Sequence, residues 1–552
     1  MKIWGRWSVK DLQNSLDEMD DGLLPSLEVI LPGLIDNFIP QQIYTRENLS
    51  KIMEAFLPSD IFVKREFRAF CLDRLSPTEL RDATSYLGYP NHGDFGETRD
   101  LLAAQRWTGA FARKFVQFFE LPSHFLPSEP VERENYIDID PATESSPLEI
   151  KSSFKQLKDY QFGVYNESVA KLGADRSRFV IQMPTGSGKT RTAMEVICDV
   201  LNNEELCSVV WLAHSRELCE QGIQCFLDVW PHLAKRKVRV HRSWSKHPLP
   251  IPLSDRSDFI AGGLQKLSSA LRKNPSALDA IRDRCTLIVM DEAHRSEAPT
   301  YKQVIRTLMG NGAPVIGLTA TPGRRLEEEA RSLASFYFNQ IVELPDPEDV
   351  GVIEMLRERG VLSRARYIPI ITGLEYKLTD ADRKSLRDRF DFPEGLINKL
   401  ASDDARNLEI VKRVQEEVAL GRRILLFGCS VDHSKFITSI LLYLGISAGH
   451  VDGTTDTARR EDLIQGFKSG GVDVLCNFGV LTTGFDAPST DAVMMTRPTG
   501  SPVTYSQIIG RGLRGPEIGG TEECTIIDVK DNITGFGDAD EVYELFEDYW
   551  VN

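Results

Sequence analysis

The residues best placed to do chemistry lie in one glycine-rich run, MPTGSGKT, at positions 183–190. Gly186 and Gly188 lack a Cβ, so the backbone N–H groups can point inward at phosphate oxygens. In this pattern Lys189 reaches the β and γ phosphates of a nucleotide, and the Thr190 hydroxyl binds Mg²⁺. The run departs from the strict pattern at its first residue, a methionine where glycine is usual. It predicts a phosphate loop, completed by Pro184, Thr185 and Ser187.

A second chemical signal is the carboxylate pair Asp291-Glu292, which follows the apolar run 287–290. A carboxylate at the end of a parallel strand lies at the sheet edge where ligands bind. Asp291 could hold Mg²⁺ through water, and Glu292 could orient or deprotonate an attacking water, as phosphoryl transfer requires. An acidic pair on an ordinary surface is the alternative, but it does not explain the position directly after a strand.

A third signal is the stretch QIIGRGLR, which begins at Gln507 and contains Arg511 and Arg514. If they lie on a helix, two arginines three apart share a face. Their guanidinium groups would stabilise charge on a transferring phosphoryl group, an effect of ~10³ to 10⁵ in rate for known arginine fingers. We expect these three residues to complete the catalytic set from a second domain.

The pattern around these motifs predicts two α/β domains in tandem. Short apolar runs such as 179–181, 208–212 and 287–290 alternate with helical segments, and a similar series follows residue 402. Near-continuous apolar strands with intervening helices indicate parallel sheets covered on both faces. The predicted units are a helical N-terminal domain at 1–127, an acidic linker at 128–150, α/β domains at 151–345 and 403–552, and a spacer at 346–402.

Composition sets limits on the class of protein. The 552 residues carry a net charge of −16, which argues against a general nucleic-acid coat but allows a local basic groove. The nine cysteines are scattered, with no C-x-x-C pair, which favours a reducing compartment over a disulfide or zinc framework. Without a leader or an apolar span in the sequence, we expect a cytoplasmic protein with no membrane partner.

Two local features remain open to more than one interpretation. Asp140 with Glu149 and Lys151 imitates the acid-acid-lysine set of metal-dependent nucleases, but prolines and serines surround it, so we favour a linker. The basic stretch 235–246 could line a nucleic-acid groove or be a solvated strand face, and the sequence does not choose between them.

The order of these motifs resembles the superfamily 2 helicases and translocases, the DEAD/DEAH-box class, over about residues 157–532. Gln161 looks like the adenine-reading glutamine of that family, and Gly484 and Asp486 look like nucleotide-coupling residues. Gly263 stands where the family often has threonine. The residues that match nucleic-acid contact or coupling motifs are Arg216, Gln265, His294, Thr319, Thr321, Ser430, Thr482 and Thr483.

Within that superfamily, the runs DEAHRS from 291 and GLTATPGR from 317 are similar to motor subunits of type I and type III restriction enzymes. The resemblance implies two RecA-like domains that bind ATP and Mg²⁺, and an ATP-dependent helicase or translocase. It favours DNA over RNA and a role in genome maintenance or antiviral defence. The N-terminal helical domain is expected to bind a protein partner. The alternative is a nucleic-acid-activated ATPase switch that recruits an effector such as a nuclease.

Overall fold

The computed structural model describes residues 3–19, 23–35, 39–91, 93–127, 135–139, 156–174, 177–252, 255–293, 298–310, 312–320, 327–345, 351–380, 392–481, 490–499 and 502–534. Within these residues, no helix is both long and apolar enough to cross a lipid bilayer.

The N-terminal region is built from helices that pack around aromatic side chains. Its α-helices are Val9–Met19, Leu23–Ile30, Arg46–Phe56, Arg65–Leu72, Pro77–Leu87, Phe95–Ala103 and Gly109–Phe118, with 3₁₀ turns at Ile3–Arg6, Leu31–Gly33, Pro40–Gln42, Ile61–Val63 and Ser123–Phe125. Ser76 and Glu79 form a reciprocal capping box that satisfies free N–H groups where one of these helices begins. Trp4 and Trp7 are buried and pack edge to face, with their ring centroids 5.1 Å apart.

The first sheet carries the phosphate loop. Its strands β1 to β8 are Tyr136–Ile139, Arg178–Gln182, Ser208–Ala213, Val238–Ser243, Ser257–Gly263, Cys285–Asp291, Val315–Thr319 and Ile341–Glu343. They run in the order β1-β4-β5-β3-β6-β7-β2-β8. Only the β1–β4 pairing is antiparallel among the described strands of this sheet. The carboxyl ends of β2 and β6 therefore open on the same edge.

Helices cover both faces of this sheet, as expected for parallel strands that are buried throughout. They are Asp159–Leu172, Lys189–Asn203, Arg216–Leu233, Leu264–Lys273, Asp279–Arg282, Pro299–Met309 and Glu327–Phe336, followed by Val352–Glu358 on the way to the second sheet. Strand β1 comes from the segment 128–150, where the sequence predicts a linker, so part of that segment extends the sheet.

The second sheet is parallel throughout its described pairings. Its strands β9 to β14 are Arg364–Lys377, Ile424–Phe427, Ala448–Val451, Val474–Asn477, Ala492–Met495 and Glu523–Thr534, in the order β11-β12-β10-β13-β14-β9. Its helices are Glu394–Ala401, Asp404–Ala419, Val431–Tyr443, Thr457–Ser469 and Pro502–Ile509, with a 3₁₀ turn at Pro516–Ile518. Strand β9 lies in the predicted spacer and pairs with β14 along its length. The predicted α/β class with a helical N-terminal region is confirmed.

The N-terminal helices share one hydrophobic core with the second sheet. A single cluster joins their buried side chains to one face of β10, β12 and β13. Helix Leu23–Ile30 packs on Asp404–Ala419, and helix Arg46–Phe56 packs on Val431–Tyr443. The approach is close at Gly33, where an added Cβ would lie 2.8 Å from Leu408 Cδ2. Removing apolar surface from water stabilises a folded protein by about 25 cal/mol per Å². The shared core therefore stabilises the attachment of the N-terminal region to the second sheet.

A buried ion pair ties the second sheet to its helices. Arg406 donates to both carboxylate oxygens of Asp531, from Nε at 2.8 Å and from Nη2 at 3.0 Å. The two side chains are 0% and 1% exposed. Thr372 on β9 also donates to Asp531 at 2.7 Å, and the Thr496 carbonyl accepts from the guanidinium. Every charged group therefore has hydrogen-bond partners, which is the condition for a buried pair to be tolerated.

We predict that Arg406→Leu destabilises the protein by about 3–5 kcal/mol, because it leaves a buried carboxylate without its counter-ion. The double variant Arg406→Leu/Asp531→Leu should recover most of that loss. Urea unfolding measures both. Lys412→Ala, which breaks an exposed pair with Glu409 on the same helix, is the control and should change stability by less than about 1 kcal/mol. Equal stability of the single and double variants would contradict this account.

Candidate active site between the two sheets

The phosphate loop connects β2 to the helix Lys189–Asn203, as the sequence predicts. The turn is possible because Gly186 and Gly188 adopt φ angles of +88° and +89°, which residues with a Cβ rarely take. Met183, at the position where glycine is usual, is 0% exposed and lies in the hydrophobic core. Its N–H donates to the Thr319 carbonyl at 3.1 Å. Met183, the residue that departs from the strict motif, therefore anchors the start of the loop in the apolar core.

Gln161 and Tyr160 contact the loop from the helix Asp159–Leu172. Gln161 Nε2 donates to the Ser187 carbonyl at 3.0 Å, and the Tyr160 hydroxyl donates to the same oxygen at 3.2 Å. Gln161 Oε1 accepts from the Lys158 N–H at 2.9 Å, which fixes the side chain. A Cβ on Gly188 would lie 2.1 Å from Gln161 Nε2. A side chain at this position would therefore displace the Gln161 amide and would also adopt an unfavourable φ.

The acid pair lies at the carboxyl end of β6. Asp291 is 5% exposed and Glu292 is 9% exposed. Glu292 has a φ of +55°, an uncommon conformation for a residue with a Cβ, and its N–H donates to Asp291 Oδ1 at 3.0 Å. Burial, and next the charge of Glu292, raise the pKa of Asp291 to about 7, while Lys189 and Arg511 act in the opposite direction.

Arg511 and Arg514 lie on the second sheet's side of the cleft, but the prediction that they share a helix face is wrong. The helix Pro502–Ile509 ends before them. Arg511 N donates to the Ile508 carbonyl at 3.1 Å in a turn, and Gly512 continues that turn. The Arg514 carbonyl accepts from Ser363 Oγ at 2.6 Å. Gly512 is closely packed in this turn, where a Cβ would lie 2.4 Å from a buried cysteine sulfur.

The two sides of the cleft meet at the phosphate loop. A Cβ on Gly186 would lie 3.4 Å from Leu362 Cδ2 and 3.7 Å from the carbonyl oxygen of Leu513, which lies between the two arginines in the sequence. Arg511 is 7% exposed and near enough to affect the Asp291 carboxyl. One site therefore brings together the phosphate loop, the acid pair and Arg511.

Further ion pairs cross between the sheets, and sequence reasoning did not find them. Lys158 Nζ lies 2.9 Å from Glu517 Oε2, and Arg359 pairs with Asp159. Arg460 Nη1 lies 3.2 Å from Glu217 Oε1. Each pair is at least partly exposed, so each stabilises the protein only weakly. The sequence carried no signal for them because the partners are hundreds of residues apart.

The remaining predicted residues fall into three groups. Thr319 is buried at the end of β7, and Gln507 is buried in the helix Pro502–Ile509. Arg216 and Gln265 are exposed at the starts of helices, and Ser430 accepts from the His433 N–H as the N-cap of the helix Val431–Tyr443. Outside the described residues lie His294, Thr321, Thr482, Thr483, Gly484, Asp486, Asp140, Glu149 and Lys151.

The basic stretch around β4 is largely engaged within the protein. Arg239 makes two hydrogen bonds to Asp138 on β1, at 2.6 and 2.7 Å. Arg242 is 6% exposed and lies 3.3 Å from Glu220. Trp244 is buried. These three side chains therefore serve packing and pairing, and they do not form an open groove.

The residues at the cleft fit a nucleotide phosphate with Mg²⁺. The two left-handed glycines keep the cradle free of Cβ atoms, and the half-buried Lys189 and Thr190 lead the helix whose N-terminus favours anions. Asp291 is a buried carboxylate whose protonation is favoured in the absence of a cation, as expected for a carboxylate placed to meet one. A phosphate loop on one mainly parallel sheet, facing arginines on a second, defines a P-loop nucleoside triphosphatase.

Comparisons with known proteins specify the family. Residues 154–324 match the family "Type III restriction enzyme, res subunit", and residues 407–515 match "Helicase conserved C-terminal domain". The yeast (Saccharomyces cerevisiae) "Putative ATP-dependent helicase IRC3" is 28% identical over 67% of this chain and 51% of its own length. An Escherichia coli protein, "Type I restriction enzyme EcoAI endonuclease subunit", is 23% identical over 70% of this chain and 47% of its own.

The fold is shared with a crystal structure of the DUF1998 helicase MrfA, at 16% sequence identity and a TM-score of 0.50 over 76% of this chain and 55% of that one. The chain spans about half the length of the two curated relatives described above. Together with the order of its motifs, these matches show that the chain belongs to the superfamily 2 helicases.

We predict that Gly188→Ala weakens nucleotide binding about 10-fold or more. A left-handed conformation costs alanine about 1–2 kcal/mol, and the new methyl group displaces Gln161 from the loop. Titration with a fluorescent ADP analogue measures the loss. Gly395→Ala is the control, because its Cβ would meet nothing within 4 Å. Unchanged affinity of Gly188→Ala would show that the loop conformation is not needed for binding.

A second prediction concerns Asp291 without ligand. A carboxyl whose folded pKa is raised to about 7 contributes stability when protonated, and that stability is lost as the pH rises from the unfolded value towards 7 and above. Asp291→Asn should therefore raise Tm at pH 8 in the absence of nucleotide and Mg²⁺. The corresponding gain in the free energy of unfolding is at most about 4 kcal/mol. At pH 4 the two proteins should melt together. A lower Tm for the variant at pH 8 would refute the assignment.

Proposed function

We propose that this chain is an ATP-dependent motor that moves on DNA, with a role in genome maintenance or antiviral defence. The observation that carries the proposal is the division of one site between two sheets. Lys189 and Glu292 lie on the first sheet, and Arg511 reaches the same cleft from the second. A site divided in this way is complete only when the sheets are close together, so hydrolysis is coupled to domain motion.

The chain's own residues divide the work at the γ-phosphate. Lys189 and the loop N–H groups bind and orient the phosphates, and Glu292 orients the attacking water and accepts its proton. Arg511 and Arg514 stabilise the charge that develops on the transferring group, and Gln507 supports that side of the cleft. Mg²⁺, held by Thr190 and Asp291, would neutralise phosphate charge.

Nucleic acid is proposed to bind along the carboxyl edges of both sheets. Exposed Arg216 and Gln265 follow β3 and β5 on the first sheet, and Ser430 follows β10 on the second. Contacts of this kind hold phosphates and carry little sequence information. DNA is favoured over RNA because one relative is a type I restriction enzyme subunit and the MrfA helicase was crystallised bound to DNA.

We predict that Lys189→Ala and Glu292→Gln abolish ATP turnover and that Glu292→Gln still binds nucleotide. Arg511→Ala should lower kcat by ~10³ or more, because an arginine of this type acts on the transition state. ATPase rates with single-stranded, duplex and forked DNA and with RNA measure these effects and identify the activator. Arg272→Ala, at an exposed helix end, is the matched arginine control. Normal turnover in Lys189→Ala or Glu292→Gln would overturn the site.

A second candidate function is a nucleic-acid-activated switch that recruits an effector such as a nuclease through the N-terminal region. The continuous core between that region and the second sheet favours it, because a partner bound there would move with the second sheet. Strand-displacement and triplex-displacement assays separate the two. Unwinding or triplex displacement supports a motor, whereas DNA-stimulated ATPase activity with neither supports the switch.

A further inference from the structure

A cavity of about 730 Å³ lies between the N-terminal helices and the second sheet. One wall comes from residues 55–63, 107 and 124–127, and the other from residues 435 and 450–459. It shares no lining residue with the phosphate loop, the acid pair or the arginines. Its N-terminal wall lies outside both family matches, which cover 154–324 and 407–515. The volume is within the range of sites that hold small molecules, about 300–1,000 Å³.

Among the described residues, His124 places an unpartnered polar atom in the wall of the cavity. The side chain lines the cavity and the residue is 9% exposed, yet Nε2 has no hydrogen-bond partner within the described structure. An unsatisfied buried polar atom costs about 1–3 kcal/mol, which a ligand atom would recover. Burial, and next the charge of Arg459, lower the pKa of His124 to about 4, so the imidazole is neutral near pH 7. In this neutral form Nε2 can donate or accept one hydrogen bond, according to the tautomer.

Two cations line the opposite wall. Lys435 is half-buried and makes no ion pair among the described residues. Arg459 donates to the Leu57 carbonyl at 3.2 Å, which holds the guanidinium at the junction of the two walls. Side chains of this type bind phosphate through charge-assisted hydrogen bonds. The cations are therefore placed to hold an anionic group.

The acids of the cavity are mostly engaged elsewhere. Asp452 accepts hydrogen bonds from Thr454 and Thr455, at 2.7 to 3.1 Å, and lies 3.2 Å from His450 Nε2. Asp456 accepts from the Arg459 N–H at 3.1 Å and from a serine hydroxyl. Asp60 is exposed. Both carboxylates stay charged and interact electrostatically with the Arg459 guanidinium, so Lys435 is the cation of the cavity that is left for an anionic group.

The rest of the N-terminal wall is apolar and includes a flat aromatic ring. Trp107 is half-buried, and its Nε1 donates to the Phe125 carbonyl at 3.1 Å, so the indole has no free polar atom. Phe56, Val63 and Leu126 extend this wall. The indole already stacks on Phe62 and has the Arg68 guanidinium over its ring, so this wall offers a heteroaromatic ring apolar contact and not a free stacking face.

We propose that this cavity binds a nucleotide separate from the one hydrolysed at the cleft. Lys435 holds its phosphate, the wall around Trp107 packs on its base, and His124 Nε2 pairs with a polar atom of the base or sugar. Inorganic phosphate alone would use only Lys435. Because the cavity joins the N-terminal helices to the second sheet, its occupant stabilises that junction.

The test uses the full chain carrying Lys189→Ala, so that binding at the cleft is impaired. Calorimetric titration with each of the four ribonucleoside 5′-monophosphates, and with inorganic phosphate, measures the second site. We expect at least one monophosphate to bind more tightly than phosphate. Adding Lys435→Ala should weaken the binding of that monophosphate about 10-fold or more, since a charged hydrogen bond is lost. Lys412→Ala, an exposed lysine on the adjacent helix, should bind as the parent does.

His124→Phe tests the buried imidazole and should weaken the same monophosphate several-fold while phosphate binding stays unchanged. If this variant fails to fold, protection of Lys435 from acetylation by the bound monophosphate, read by mass spectrometry, replaces it. The proposal is overturned if no monophosphate binds with a Kd below about 1 mM. It is also overturned if Lys435→Ala binds as tightly as the parent, or if Lys435 is acetylated equally with and without nucleotide.

Discussion

The burial of the second sheet on two sides is the constraint on which the rest of the structure depends. One face contributes to the core that contains the N-terminal helices, and the other contributes to the core that contains the first sheet. A parallel sheet must be covered on both faces, because its strands are apolar throughout. Here part of the cover comes from the N-terminal helices and part from the region of the first sheet, and these two regions follow one another in the sequence. The second sheet is therefore the part through which the N-terminal region and the nucleotide cleft can influence each other.

The ion pairs that cross the cleft are weak, whereas the groups they surround are strongly desolvated. The pairs Lys158–Glu517 and Arg460–Glu217 are partly exposed and add little free energy. Asp291, by contrast, is buried beside a second carboxylate, so its charged state is unfavourable without a cation. These pairs add little to the apolar contacts that the two sheets share, and the buried acid needs a cation, rather than a further anion, to favour its charged form.

Much of this architecture could be predicted from the sequence, because the relevant signals are local. A glycine loop after an apolar strand, and an acid pair after another, indicated both the parallel sheet and the edge where the site lies. What could not be predicted depends on packing between distant segments. The helix carrying Gln507 ends at Ile509 and Gly512 beyond it packs closely on the buried Cys524, and Tyr136–Ile139 becomes a strand because β4 offers it an edge. Local composition contains no record of such neighbours.

The same distinction applies to the N-terminal region. Its helical periodicity was visible, but the partner of its apolar face was not, since any apolar surface could have covered it. The outcome depends on close steric fit, as at Gly33 against Leu408. The cavity between the two regions also follows from this docking, because its walls come from segments that carry no motif in common.

Met183 has a mechanical consequence for the phosphate loop. Its side chain is enclosed in the core and its N–H is bonded to Thr319, so the first residue of the loop cannot move without opening a cavity. The left-handed glycines, which allow large backbone rotations, lie beyond that residue at 186 and 188. The loop is therefore anchored at its first residue, and its backbone freedom is concentrated next to Gln161.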